Sequence, residues 1–281
     1  MSQLLELLSL PFLACIAMGA ILGHSGMHVL KREVIFIDIA LAQIAAVGAI
    51  IAHLVFDAEE GTWQAYTTSL VCVLLIAAFY SLARRRIFQI SIEAIIGISY
   101  AIAAAAALFL IGLTPGHIHA NEMLAGSLLW IRWADIKYSL IIFCIIGVCF
   151  YIFRKPLRNI SEDYDAAVAK GVKVVWWDFL FYVLVGVVIT ATVRIAGVVV
   201  VFAFLIIPAT ISALFSSRWG IRMLISWGAS IAASLAGLLF AYYLDFSVGP
   251  SVAMFLGVTL VAVAIFRKLF SLNSANLFKQ G

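Results

Sequence analysis

Charge is scarce in this chain. Only 11% of its 281 residues are Asp, Glu, Lys or Arg, 65% are hydrophobic, and the mean hydropathy is +1.15. A water-soluble domain carries roughly a quarter charged residues, so this composition excludes one and demands lipid as solvent. Ser/Gly linkers, low-complexity tracts and long polar segments are missing as well, which leaves a single transmembrane domain over 1–281. No G-x-x-x-x-G-K-[ST] loop occurs, so the chain cannot bind and hydrolyse a nucleotide by itself. The absence of H-E-x-x-H removes the usual zinc-protease pattern. The four cysteines (Cys15, Cys72, Cys144 and Cys149) form no C-x-x-C pair and read as small apolar packing residues.

What the chain does have is apolar runs. A span needs roughly 20 mostly apolar residues, and such stretches fall at 9–30, 34–56, 66–83, 93–113, 136–153, 176–193, 196–215, 221–243 and 248–266. The expected fold is therefore all-α, a polytopic bundle of about nine spans. Residues 179–215 hold one charge, Arg194, and as one helix would far exceed a hydrocarbon core of roughly 30 Å. A break is expected at 194–197. The first stretch lacks a basic leader and a small-residue cleavage site and reads as a retained span.

Lys and Arg mark the cytoplasmic side of a membrane protein. With the amino terminus outside and the carboxyl terminus inside, all but Arg132, Lys137 and Arg194 of the basic residues considered fall on inner loops, while Asp57, Glu59 and Glu60 lie in an outer one. The net charge of +4 thus reports topology and gives no reason to expect nucleic acid.

Two polar segments have local structure of their own. Over 159–173, a hydroxyl or carboxylate near Asp163, acids in the first turn, Lys170 in the last and Gly171 after it predict a short inner helix. Its small side chains suit either a solvated connector or a docking helix that another protein's backbone approaches closely. On the outer side, Thr114-Pro115-Gly116 breaks the fourth span, and 121–133 is too short to cross and reads as interfacial or re-entrant.

Several strings, taken in order, resemble one family, the membrane permease of ATP-binding-cassette importers for zinc, manganese or iron. Residues 163–172 (D-Y-D-A-A-V-A-K-G-V) resemble its D-E-x-x-A-x-A-x-G-V coupling segment. Residues 198–209 resemble its apolar run ending in I-I-P-A, Tyr242-Tyr243-Leu244-Asp245 and Gly249-Pro250 resemble its Y-Y-L-D and G-P pair, and 124–129 its L-x-G-x-L-L. The resemblance implies a subunit of the bacterial inner membrane that is not itself an enzyme and holds no permanent cofactor. It also implies an ATPase partner that uses the ATP, an extracytoplasmic solute-binding protein, a second permease copy, and a transported divalent metal. Coupling to the ATPase then falls to Asp163, Ala167, Ala169 and Gly171.

In the second span the chain departs from that pattern. The family's G-D-A-L-S-H carries Asp and His four apart, on one helical face. Here His is replaced by Gln43, Asp by Ile39, and Asp38 is displaced by one residue. At about 100° per residue, Asp38 and Gln43 stand about 140° apart and share no ligand face. An intramembrane carboxylate costs roughly 2.5–3.5 kcal/mol on insertion scales, so Asp38 is either a pathway residue or an interfacial snorkeller. Gln43, deeper in the span, is a second pathway candidate. Glu93 and Asp178, at inner ends of spans, read as capping or interfacial. His24 and His28, four apart, and His117 and His119 with Glu122, in the outer loop, are candidate metal ligands.

Two other classes remain as alternatives. Gly23-His24-Ser25-Gly26 has the G-x-S-G look of an intramembrane serine protease, but His53, His117 and His119 lie at the opposite end from Ser25. A secondary transporter without an ATPase would show inverted halves and intramembrane charges, and nine spans do not halve.

Overall fold

The computed structural model describes residues 2–58, 62–86, 89–113 and 128–277, and every regular element among them is helical. The chain runs through α1 (Ser2–Arg32), α2 (Ile37–Phe56), α3 (Trp63–Arg86), α4 (Ile92–Leu113) and a single 3-10 turn (Leu128–Trp130). It continues through α5 (Trp133–Ile152), two short helices, α6 (Arg154–Glu162) and α7 (Tyr164–Ala169), then α8 (Val174–Ala196), α9 (Val198–Phe215), α10 (Trp219–Leu244) and α11 (Val248–Leu277). Among the described residues nine helices, all except α6 and α7, are long and apolar enough to cross a membrane.

The break expected at 194–197 falls at Gly197. Its backbone takes φ 82°, ψ 160°, and its N–H donates to Val193 O at 2.8 Å, which closes α8 before α9 starts one residue later. A positive φ of this kind is open to glycine and strained for larger residues. Nothing in the sequence had pointed to α6. Its nine residues place Leu157, Ile160 and Ser161 inward and Arg158 and Glu162 outward, where Arg158 Nε donates to Glu162 Oε1 at 2.9 Å.

The described chain divides into two compact units, one of residues 1–27 with 203–281 and one of 28–202. In the second unit α2 packs on α3 and α4, α8 packs on α2, α3 and α5, and α6 and α7 pack on each other and on α8. Leu41, Val73, Tyr80, Phe181, Tyr182 and Val185 are fully buried there.

In the first unit the contact between α1 and α10 is built from small residues. A methyl group placed on Gly19 would lie 2.7 Å from Ser230 Cβ, and one on Gly23 would collide with Ser226 Oγ. Helices in lipid gain nothing from hiding apolar surface from water, so close backbone approach and van der Waals contact hold them together. The indole N–H of Trp227 adds a bond across this seam, to Ala20 O at 3.1 Å. Gly23 and Gly26 therefore serve packing: a side chain on Gly26 would drive into the Leu205 carbonyl of α9.

Candidate coupling helix, polar knot and transport pathway

Helix α7 is short and fully capped. Asp163 is extended (φ −152°) and its Oδ1 accepts the Ala166 N–H at 2.8 Å, which satisfies an amino-terminal donor. At the other end Gly171 (φ 73°) donates to Val168 O at 3.0 Å and Val172 donates to Ala167 O at 3.2 Å. Together these two bonds form a Schellman motif, with glycine at the left-handed position. Asp163 and Gly171 thus fix the ends of the helix. The two alanines differ: Ala167 is buried in a cluster with Ile160 and Val174, flanked by Tyr164, Val172 and Trp177, whereas Ala169 is exposed beside Val168.

Beneath α6 and α7 lies a polar knot. Arg32, the last residue of α1, pairs with Asp178 in the first turns of α8, and both side chains are inaccessible to solvent. Arg84, from the end of α3, brings Nη1 to 3.6 Å from the same Asp178 oxygen. Two guanidinium groups from two spans therefore face one carboxylate. Arg32 also lies 4.1 Å over the Phe181 ring, and Arg84 4.4 Å over the ring of Tyr164, the first residue of α7. Burial, and then the charge of Asp178, raises the Tyr164 phenol above its ordinary pKa, so the ring enters this contact as a neutral phenol.

Ser161 ties α6 to the knot. Its hydroxyl donates to Leu157 O at 2.8 Å, while Arg32 Nε donates to Ser161 Oγ at 2.9 Å. His28 Nδ1 stands 2.9 Å from that oxygen. The single hydroxyl proton of Ser161 is already directed at a carbonyl, so Nδ1 of His28 must carry the proton in this bond. The ring is held against Phe150, stacked with centroids 5.9 Å apart.

The sequence reading of Asp178 as capping or interfacial is corrected by this geometry, and so is the placing of Arg32 among loop charges. Both are buried partners. A buried charge survives in low dielectric when it is paired and hydrogen-bonded, and Asp178 reaches that state because α1, α3 and α8 converge on it. The available signal was an acid one turn inside a span on the side where Arg32 and Arg84 also end.

On α2, Asp38 is 1% exposed, and neither of its oxygens has a hydrogen-bond partner among the described side chains. The backbone amides of Asp38 and Ile39 lie close to it, at the open amino end of the helix. Snorkelling is therefore overturned, since an interfacial carboxylate would reach water. Gln43 is half-buried.

A family model described as the ABC 3 transport family matches residues 5–267. The chain belongs to this family. It is similar to a probable iron transport system membrane protein of Haemophilus influenzae, with 23% identity over 202 residues, 72% of each chain. It is also similar to the manganese transport system membrane protein MntB of Synechocystis, with 28% identity over 176 residues, 62% of this chain and 56% of the relative. Among solved structures, PsaBC from Streptococcus pneumoniae in complex with Fab shares the fold, with a TM-score of 0.77, 20% identity, and 93% and 94% of the two chains covered. A putative metal-chelate type ABC transporter in an inward-facing conformation matches with a TM-score of 0.69 and 18% identity, over 91% and 85%. The chain is thus a multi-pass inner-membrane permease of ABC type, and neither rival class is favoured.

In this permease Ser25 is buried and its Oγ donates to Ile21 O at 2.9 Å, one turn back along α1. That bond is the usual resting place of an intrahelical serine, and it gives the hydroxyl no base. His28, proposed with His24 as a ligand pair, has Nδ1 committed to Ser161. No group of three or more His, Cys, Asp and Glu suited to a metal ion occurs among the described residues. His117, His119 and Glu122 lie outside the described residues.

Proposed function

We propose that this permease imports a transition metal ion, free or chelated, and that ATP hydrolysis by a partner subunit drives it between outward and inward access. The match to the ABC 3 transport family over nearly the whole chain carries the reading, and relatives named for iron and manganese transport support the cargo class. In this reading the amino terminus lies outside and α6–α7 lie on the cytoplasmic side, which the distribution of Lys and Arg along the chain supports. A second permease copy, two ATPase subunits and an extracytoplasmic solute-binding protein complete the assembly.

The ATPase docks on the exposed carboxyl end of α7, where Val168 and Ala169 are followed by the capping residue Lys170. Motion of α7 passes into the bundle by two routes. One is apolar, from Ala167 to Val174 at the start of α8. The other is polar, from Tyr164 through Arg84 and Asp178 to Arg32. Each route ends on spans that must move for access to alternate.

Asp38 is assigned to the pathway as an enclosed carboxylate without a protein cation, a condition a passing cation would relieve. Gln43 supplies a neutral amide beyond it. The lack of the paired Asp and His ligands in α2 favours a chelated cargo as the second reading, because a ligand-saturated ion needs fewer donors from the channel.

The test is ATPase activity of the reconstituted permease–ATPase complex with its binding protein, across zinc, manganese, iron, a ferric chelate and a non-metal solute. Stimulation by a metal or its chelate is expected. Stimulation by none of them removes the cargo assignment and leaves family membership intact.

A further inference from the structure

We propose that the groove between α3 and the start of α8 binds an anionic phospholipid. The groove has a volume of about 450 Å³ and is lined by a single stripe from each helix. On α3 the stripe is Ala78, Ser81, Leu82 and Arg85, at i, i+3, i+4 and i+7, which is one helical face. Opposite it stand Val175 and Phe179, one turn apart on α8, with Trp176 and, just before the helix, Lys173.

The two stripes have the polarity of an amphiphile. The floor is apolar apart from one hydroxyl, on buried Ser81, which donates its proton to Ala78 O at 2.8 Å and so offers no donor outward. Both cations sit at the same end, Arg85 in the last turn of α3 and Lys173 at the cap of α8, and both are exposed. Among the described residues no carboxylate lines the groove. A ligand that matches it carries negative charge at one end and hydrocarbon along the rest of its length. Basic pockets between spans at the cytoplasmic leaflet take anionic headgroups for this reason.

The location fits the same occupant. Trp176 is 60% exposed and Leu82 49% exposed, on the surface of a bundle whose apolar spans need lipid around them. An exposed tryptophan beside two cations marks headgroup depth. Acyl chains therefore lie along Leu82 and Phe179, and the phosphate bridges Arg85 and Lys173.

The bridge has a mechanical consequence. Lys173 belongs to the four-residue link between α7 and α8, and Arg85 adjoins Arg84 of the polar knot. A phosphate on both cations fastens the α7–α8 link to α3. The proposal rests on the inner placement of this end of the bundle proposed above, and it is independent of the cargo and of the ATPase.

Trp176 supplies the probe. The purified full chain is titrated with dibrominated phosphatidylglycerol or dibrominated phosphatidylcholine, and the Trp176 signal is taken as the difference from Trp176→Phe. The anionic lipid is expected to quench at lower concentration than the zwitterionic one. At roughly fivefold per neutralised cation, Arg85→Gln with Lys173→Gln weakens the anionic lipid about 30-fold and leaves the zwitterionic one unchanged. Equal affinity for the two lipids, or an unshifted double variant, overturns the proposal. Ala78→Phe fills the floor and is expected to abolish quenching at unchanged oligomeric mass. A fall in mass with that variant would mean that a second copy occupies the groove, and would overturn it as well.

Discussion

Replacing Asp178 with Asn keeps the shape of the polar knot and removes its one negative charge. Arg32 is then left wholly enclosed with two compensations, the Ser161 oxygen at 2.9 Å and the Phe181 face at 4.1 Å. Breaking a buried pair by removing one partner costs roughly 3–5 kcal/mol, and a desolvated cation–π contact is worth about 2 kcal/mol or more. Both compensations are already present in the native protein, so they do not offset the new loss. Arg84 contributes less, because its side chain is 12% exposed and can turn to water. The expected destabilisation is therefore about 3 kcal/mol. On the entropy scale of domains of this size, that lowers Tm by roughly 6–12 °C, measurable by thermal unfolding of the purified permease in detergent. The control is Asp178→Asn in an Arg32→Leu background, where the enclosed charge is gone. There the same substitution should cost at least about 2 kcal/mol less. A single variant within about 0.5 kcal/mol of the native protein, or equal costs in both backgrounds, would refute the reasoning.

Ala169→Glu should abolish co-purification of the ATPase and leave Tm unchanged, while Ala167→Glu should lower Tm by burying a charge against Ile160 and Val174; equal behaviour of the two in both assays sinks the assignment of the exposed face. Asp38→Asn removes a buried carboxylate with no side-chain partner, so Tm should hold or rise while uptake of radioactive metal falls at least tenfold; unchanged uptake takes Asp38 out of the pathway. Gly23→Leu should destabilise the α1–α10 seam by about 1–3 kcal/mol through overpacking, whereas Gly97→Ala, with open space around it, should be neutral or stabilising by up to about 1 kcal/mol. The raised Tyr164 phenol contributes stability that is whole below the unfolded pKa of about 10 and is lost as pH climbs through the higher folded value. Tyr164→Phe should therefore flatten only the alkaline limb of a Tm–pH curve; a difference between pH 6 and 8 would contradict this.

The spans were legible because lipid imposes a single simple demand, about 20 apolar residues in a row, and the Gly197 break because one glycine beside Arg194 interrupts a run too long for a bilayer. The ends of α7 were legible for a local reason: Asp163 and Gly171 make their capping bonds within four residues of themselves. The polar knot was not. Arg32, Arg84, Ser161 and Asp178 are 17 to 146 residues apart, by subtraction of their numbers, and each taken alone looks like an ordinary charge or hydroxyl at a span end. The burial of Ala167 was hidden in the same way, because a small residue suits an inward contact and an outward one equally well until Ile160 and Val174 are seen beneath it. Asp38 lay between these cases: its cost in a span was plain, and its lack of a side-chain partner required the fold.

Helix α7 is held by its own turn bonds and by side chains of its own chain. A protein that reads its outer face meets a finished shape, and little conformational entropy remains to be lost on contact. Encounter should then proceed at the rate of rigid docking, on the order of 10⁵–10⁷ M⁻¹s⁻¹, with no folding step to slow it. The same rigidity means that a push on six residues of helix cannot be absorbed by bending within them and must move what lies underneath.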